Sequence, residues 1–267
     1  MSTQKRAGQG FVAGSLIGTL GGLIGLGGAE FRLPVLVGLF RLSTLEAVIL
    51  NKAMSLVVVA SALLFRLRTI PVDQLFEHWD VILNLLAGSL VGAWWAAGHA
   101  MTMHRKQLNV VIMVLLLGLA LLMLSESWLG LHDGGTLWFE PGPVRIFAGL
   151  VAGFGIGTVA ALLGVAGGEL LIPTIVLLYG IDIKLAGSLS LTVSLPTMIV
   201  GFARYSGSEA FAVLKSERPL FRWMVAGSIL GAGVGGLLLG LVPPEILVTG
   251  LGVILLISAL KTFKHAH

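Results

Sequence analysis

The sequence predicts an all-α polytopic membrane protein, a bundle of transmembrane helices built from two homologous repeats of four hydrophobic segments each. Of the 267 residues, 56% are hydrophobic and 11% are charged, whereas a soluble domain carries about 25% charged residues. The apolar residues gather in runs of about 20, the length that crosses a bilayer as a helix. One glycine-rich stretch occurs twice in the chain. No long polar segment leaves room for a soluble catalytic domain, so we predict that the protein is not an enzyme.

A shift of 139 residues aligns the two halves of the chain without a gap. The aligned pairs share glycine, carboxylate, proline or leucine: Gly25 with Gly164, Glu30 with Glu169, Pro34 with Pro173, Gly92 with Gly231 and Leu108 with Leu247. A single register over such a length indicates a duplicated unit. We predict a first repeat at 1–124, an exposed linker at 125–143 and a second repeat at 144–267.

Each repeat contains four segments long enough to span a membrane. They lie at 10–28, 44–66, 80–98 and 106–124, and at 145–166, 184–203, 220–241 and 244–261. The apolar runs 31–40 and 170–180 are too short to cross, so we predict half-helices or re-entrant arms. If 10–40 crosses once, the repeats are parallel. If it dips in and returns, they are inverted, and the sequence leaves both arrangements open.

The glycine-rich stretches predict breaks in membrane helices. Each ends an apolar run, places a glutamate after the glycines and closes with a proline; the residues that form the breaks are Gly25, Pro34, Gly164 and Pro173. In lipid every backbone N–H and C=O needs a partner, so a break is tolerated where protein buries it or where it lines a polar cavity. We therefore predict two breaks that line a binding site. The alternative is two ordinary loops at the membrane surface.

Glycines spaced four residues apart predict close helix packing. They occur as Gly14 and Gly18, Gly88 and Gly92, Gly153 and Gly157, and Gly227, Gly231 and Gly235. This spacing lets two membrane helices approach closely.

Four ionisable side chains lie inside the apolar zone: Glu30, Arg32, Lys52 and Glu169. Because a charge at the bilayer centre is costly, each is a candidate for function. Two structural roles compete with that reading. The charges can pair, as Glu30 with Lys52, or Arg32 can extend to the membrane surface.

Backbone N–H groups at the two breaks predict a socket for a small oxyanion. The donors are Gly27, Gly28, Ala29, Gly167 and Gly168, placed where a short helix begins and its first N–H groups have no internal partner. Lys52 and Arg32 would add positive potential. Polar side chains of the following helices would complete the site; they are Asn51, Ser55, Ser190, Thr192 and Ser194.

Glu30 and Glu169 stand beside those donors and would compete with an anion unless they are protonated or turned away. Protonated, they are candidates for proton coupling. Each can instead cap the start of its short helix and do nothing else.

These residues resemble the sulfite exporter family TauE/SafE, whose repeats carry a membrane motif of the form G-x-G-G-[GA]-x-x-x-x-P. The first copy matches at Gly25, Gly27, Gly28, Ala29 and Pro34, and the second at Gly164, Gly167, Gly168 and Pro173, with Ala166 in place of a glycine. The resemblance implies transport of sulfite or a related organosulfonate across the bacterial inner membrane. The chain departs from the family pattern where a Thr-Ser pair is expected, because Leu50-Asn51 and Leu189-Ser190 stand there.

We therefore predict a multi-pass permease for a small anion that binds at the membrane midplane, with proton coupling as an option. The alternatives are a cation- or proton-linked carrier that uses Glu30 and Glu169, and a membrane scaffold that transports nothing. We predict no cofactor and no metal site. We also predict no nucleic-acid partner, because the Lys and Arg residues behind the net charge of +4 cluster at the ends of apolar runs. The partners are the anionic substrate and the lipid bilayer, and a homo-oligomer stays open.

Overall fold

The computed structural model describes residues 3–24, 28–66, 72–129, 140–237 and 244–264. These ranges fold into helices and contain no strand, so the predicted all-α class is confirmed. The helices are α1 (Thr3–Ile24), α2 (Ala29–Gly38), α3 (Thr44–Arg66), α4 (Val72–Glu77), α5 (Trp79–Thr102), α6 (Arg105–Leu129), α7 (Pro143–Leu163), α8 (Gly168–Tyr179), α9 (Ile183–Tyr205), a 3-10 turn (Glu209–Ala212), α10 (Val213–Ser216), α11 (Arg218–Leu237) and α12 (Pro244–Lys264).

Five of the described helices are long and apolar enough to cross a membrane. The spans are Thr44–Leu63, Trp79–Thr102, Arg105–Ser125, Pro143–Leu163 and Leu185–Tyr205. The protein is therefore a multi-pass membrane protein, as the sequence predicts. The other three predicted spans correspond to α1, α11 and α12, which are 22, 20 and 21 residues long.

Helices of the two halves begin at matching positions. The starts of α2 and α8, of α3 and α9, of α5 and α11, and of α6 and α12 are each 139 residues apart, for example 168 − 29 = 139. This is the shift that aligns the sequence, although descent from one duplicated unit stays a prediction. Helix α6 continues to Leu129, into the predicted linker 125–143, and residues 130–139 of that linker lie outside the described ranges. The bounds of the repeats and the linker stay a prediction.

Each short helix runs back alongside the long helix before it. Its last residues therefore lie near the first residues of that long helix. Near the start of α1, the Arg6 side chain donates a hydrogen bond of 3.2 Å to the carbonyl oxygen of Phe40, just after α2. Near the start of α7, the Arg145 guanidinium lies 5.3 Å from the ring centre of Tyr179, the last residue of α8. We call α1 with α2 the first hairpin and α7 with α8 the second hairpin.

The open end of each hairpin, where its long helix begins and its short helix ends, lies at an opposite end of the bundle. This follows from the directions of α3 and α7, which run antiparallel. Gly164, directly after α7, lies against the backbone of Val48. Lys52, one turn later in α3, bonds to Ala160, one turn earlier in α7. The second hairpin therefore opens at the far end of α3, whereas the first opens where α3 begins.

Glycine contacts join the halves along two pairs of parallel helices. Gly14 and Gly18 of α1 face Met224 and Ser228 of α11, and Gly153 and Gly157 of α7 face Leu85 and Ser89 of α5. Both residue numbers rise together in each pair, so the helices run in the same direction. The predicted packing role is confirmed at these positions, since helix backbone lies where a side chain would stand.

Candidate functional site

A glycine in a left-handed conformation directly precedes each short helix. Gly28 precedes α2 with φ 67° and Gly167 precedes α8 with φ 81°. L residues with a side chain rarely adopt this conformation, which explains the glycines. Gly164, which follows α7, has φ 68°. The predicted break residue Gly25 and the predicted donor Gly27 lie outside the described ranges.

Glu30 and Glu169 bring the tips of the two hairpins together. Each is the second residue of its short helix, and the side chains are buried, with 0% and 7% of the residue exposed. The two carboxyl groups are neighbours, and both carboxyl oxygens of Glu30 are buried without a hydrogen-bond partner. The tips therefore meet at a carboxyl pair.

Both acids belong to the first turn of their short helices, where the predicted main-chain donors also lie. A carboxylate is stabilised in the first turn of a helix, where the dipole is positive. Glu30 and Glu169 therefore share this turn with the donors of Ala29 and Gly168, and a carboxylate there would compete with an anion.

Arg32 lies two residues after Glu30 in α2 and is fully buried. Its Nη2 donates a hydrogen bond of 2.7 Å to Ser55 Oγ on α3. Its Nε and Nη1 are buried without a hydrogen-bond partner, and Glu30 is the charged group beside it. The alternative in which Arg32 extends to the membrane surface is wrong, because protein encloses the side chain on every side.

Lys52 and Asn51 of α3 hold the last turn of α7. Lys52 Nζ donates to the carbonyl oxygen of Ala160 at 3.0 Å, and Asn51 Nδ2 donates to Leu163 O at 3.0 Å and to Ala29 O at 2.9 Å. The last four carbonyls of a helix have no internal partner, and a cation is favourable there. The ion pair between Lys52 and Glu30 is not formed, because the ammonium turns to this helix end instead.

The polar residues of α9 contribute less than the sequence predicts. Ser190 Oγ donates to Gly187 O at 2.9 Å, and Thr192 Oγ1 donates to Ser188 O at 3.0 Å, both within the same helix. Such bonds satisfy a hydroxyl in a membrane helix without any ligand. Ser194 is buried and its Oγ has no partner, so it is the α9 hydroxyl that stays available.

An open cavity of about 590 Å³ lies between α3, α9, α10 and α11. Its wall includes Ala53, the residue after Lys52, together with Arg218 and Arg222. The remaining lining residues are apolar. The cavity therefore combines positive charge with a position next to the buried lysine.

The comparisons with known proteins agree with the motif. A family model described as "Sulfite exporter TauE/SafE" matches residues 10–262. The chain belongs to the TauE/SafE family. Neither a curated protein nor a solved structure matches it.

Membership in the TauE/SafE family confirms the predicted resemblance and implies a membrane transporter of sulfite or another anion. Members of the family are transporters rather than enzymes. A small anion and membrane lipid are accordingly its partners.

In this TauE/SafE protein the structure collects most predicted residues around the hairpin tips. Arg32 joins Ser55 and lies beside the carboxyl pair, and Asn51 links Ala29 of one hairpin to the end of α7. Lys52 lies next to Asn51 but faces α7. The prolines of the two motifs, Pro34 and Pro173, lie inside α2 and α8 rather than at their ends.

Sequence reasoning missed contacts at the end of α7 in this TauE/SafE protein. The buried hydroxyl of Tyr205 donates to Ala161 O at 3.1 Å, beside the carbonyl that Lys52 holds. Ser89 and Thr197 share a buried hydrogen bond of 2.7 Å between α5 and α9. The sequence contains a signal that Tyr205 makes a hydrogen bond, because a buried Tyr hydroxyl usually finds a partner. It contains no signal for the acceptor, which is a backbone carbonyl.

Proposed function

We propose that the protein is a permease of the bacterial inner membrane for a small oxyanion, sulfite or a related organosulfonate. The anion binds between the hairpin tips, near the middle of the bilayer. The observation that carries the proposal is the meeting of the tips beside two buried cations, Arg32 and Lys52. The proposal needs no cofactor, no metal and no nucleic acid.

Opposed hairpins support an inverted pair of repeats. A hairpin that dips in and returns adds no net crossing, so α3, α5 and α6 leave a repeat with three crossings, an odd number. The second repeat then lies upside down relative to the first. Inverted repeats with discontinuous helices and a site at the midplane are common in transporters, where one repeat rocks against the other.

Arg32 is the residue best suited to contact the anion. Its guanidinium presents planar donors that match an oxyanion, and Nε and Nη1 are free of protein partners. Ser55 fixes the side chain by accepting from Nη2. Gly28, Gly167 and Gly168 contribute main-chain donors once the carboxyls turn away.

Lys52 contributes positive potential at longer range, since its ammonium is held at the end of α7. Arg218 and Arg222 raise the local concentration of anions in the cavity beside α3, because charged clefts attract oppositely charged ligands. The cavity is the route from the membrane surface toward the lysine.

Proton coupling is the second part of the proposal, with Glu30 and Glu169 as the proton-carrying groups. A carrier of cations or protons alone is the competing candidate, and the burial of both carboxyls in the first turns of the short helices favours it. Replacing each glutamate by glutamine separates the two: loss of all binding supports the cation carrier, whereas an altered pH dependence of anion binding supports the permease.

The test is a binding and transport assay on the purified protein. Thermal-shift screening against sulfite, sulfate, thiosulfate and small sulfonates identifies the ligand, and flux of that ligand into liposomes follows. We expect Arg32→Gln and Lys52→Met to lower the flux at least tenfold. Arg105→Gln and Lys106→Met, which change exposed cations, serve as matched controls.

Lys52→Met also leaves the Ala160 carbonyl without its donor, at a cost of about 1–3 kcal/mol. Folding of each variant is therefore checked by its elution in size-exclusion chromatography. Flux that is unchanged in folded Arg32→Gln protein would remove Arg32 from the site. No flux of any anion through the wild-type protein would favour a scaffold.

A further inference from the structure

We propose that the cavity between α3, α9, α10 and α11 binds an anionic phospholipid, with the lipid phosphate on Arg218 and Arg222 and an acyl chain along the apolar wall. The lining residues belong to these four helices and not to the two hairpins. The inference goes beyond the proposed permease, because binding of a lipid here requires no step of transport.

Arg218 and Arg222 offer the positive charge for the phosphate. They stand four residues apart in α11, so both side chains lie on one face of the helix. Both are exposed, and within the part of the chain that the structure describes neither forms a hydrogen bond or an ion pair. The neighbouring acid, Glu217, is paired with Arg6 at 2.8 Å. Two guanidinium groups therefore remain for a phosphate, whose oxygens match their planar N–H donors.

The rest of the cavity wall suits a hydrocarbon chain. It includes Leu56 and Val57 of α3, Phe202 of α9 and Phe221 of α11. Val57 belongs to the span Thr44–Leu63 and is 38% exposed, so the apolar wall is open at the depth of the lipid chains. The volume of about 590 Å³ lies within the range of about 300–1,000 Å³ that ligand sites occupy. A charged end and an apolar wall together match an amphiphilic anion.

Tryptophans place the two arginines at the depth of the lipid headgroups. Trp223 follows Arg222 directly and is 52% exposed. At the end of α9, two residues after Phe202, the Arg204 guanidinium lies 4.8 Å from the ring centre of Trp94, which is 50% exposed. Because tryptophan is enriched where the membrane meets water, this end of the cavity lies at the level of lipid phosphates.

The end of the bundle around the cavity is positively charged. The first turn of α6 lies at this end, because Asn109 bonds to Thr44 at the start of α3. The exposed cations here are Lys5, Arg41, Arg105, Lys106, Lys215, Arg218 and Arg222. At the opposite end, where α5 begins, the exposed side chains include Asp73, Glu77 and Asp80. The positive-inside rule then turns the cavity toward the cytoplasm, and basic pockets between membrane helices on that side suit anionic headgroups.

Native mass spectrometry of the purified, delipidated protein tests the site. The probes are phosphatidylglycerol, which is anionic, and phosphatidylcholine with the same acyl chains, which is zwitterionic. We expect one bound phosphatidylglycerol, held about tenfold or more tighter than phosphatidylcholine, because each arginine adds attraction for an anionic lipid. Equal affinity for the two lipids would overturn the inference.

Glycerol 3-phosphate separates a lipid site from a site for free phosphate. It carries the phosphate without the acyl chains, and its effect on thermal unfolding is compared with that of phosphatidylglycerol at equal concentration. We expect the lipid to stabilise the protein and glycerol 3-phosphate to leave the midpoint unchanged. Equal stabilisation by both would show a phosphate site and overturn the role of the apolar wall.

A double variant assigns the lipid to the cavity. Arg218→Gln combined with Arg222→Gln should weaken phosphatidylglycerol binding about tenfold or more, down to the level of phosphatidylcholine. Arg105→Gln combined with Lys106→Gln removes two exposed cations from the same end but outside the cavity, and should keep the wild-type affinity. Unchanged binding in the first double variant, or the same loss in the second, would overturn the assignment.

The outcome is independent of the proposed transport. The lipid preference of the wild-type protein decides the inference even where a variant fails to fold, which size-exclusion chromatography detects. A protein that binds phosphatidylglycerol in this cavity but transports no anion would refute the permease and keep the lipid site. Because the same arginines line the proposed route of the anion, a bound lipid and a passing anion exclude each other.

Discussion

Replacing Gly157 by alanine is expected to push α7 away from α5. An added Cβ at Gly157 lies 2.2 Å from the carbonyl oxygen of Ser89, whereas ordinary contact begins at 3.4 Å. The two backbones must separate locally by 3.4 − 2.2 = 1.2 Å. The obstacle is helix backbone, which cannot change rotamer, so the cost is that of overpacking, about 1–3 kcal/mol. Helices in lipid associate largely through such packing, which makes the loss direct.

Gly155 of the same helix is the matched control, because an added Cβ there meets nothing within 4 Å. Alanine also favours a helix over glycine by about 1 kcal/mol. We therefore expect Gly155→Ala to be neutral or stabilising. Stability is measured by unfolding the purified protein in detergent with increasing SDS and following tryptophan fluorescence. Equal midpoints for Gly157→Ala and Gly155→Ala would refute the close approach of α5 and α7.

The breaks and the end of the first hairpin give two further predictions. Gly167→Ala forces a side chain into a left-handed conformation and should cost about 1–2 kcal/mol of stability. Gly164→Ala should cost more, because its added Cβ also lies 2.5 Å from Val48 O. A smaller loss of stability for Gly164→Ala than for Gly167→Ala in SDS unfolding would contradict the geometry. The ion pair of Arg6 with Glu217, 2.8 Å apart and partly exposed, should show a coupling free energy below about 1 kcal/mol in a double-mutant cycle with Gln at both positions. A much larger coupling would mean that this pair is not screened by solvent.

The helical class and the short arms could be predicted because they depend on local properties of the chain. Apolar runs of bilayer length give α3, α5 and α7 with ends close to those predicted. The run 31–40 is too short to cross, and the structure has α2 at Ala29–Gly38. The start of α1 was predicted too late, because residues before the apolar run are polar and continue the helix through contacts such as that of Arg6 with Glu217.

The partners of the buried charges could not be predicted, because they depend on how distant helices pack. Lys52 bonds to the carbonyl of Ala160, and every residue offers a carbonyl, so the sequence holds no signal for this acceptor. Glu30 and Glu169 occupy the same place in the two repeated motifs, which is a signal for a shared role. Their contact, however, requires hairpins that enter from opposite ends, and the sequence left that orientation open.

The two halves share the same order of helices but not the same buried charges, because burying charge is costly. The 139-residue shift aligns Arg32 with Leu171 and Lys52 with Leu191, so both cations belong to the first half. A second copy of each would give four positive charges against two carboxylates, a net +2 even before a proton binds. Inside a membrane such an excess is costly without several anions. One copy of the cations and two of the acids gives a formal charge of zero.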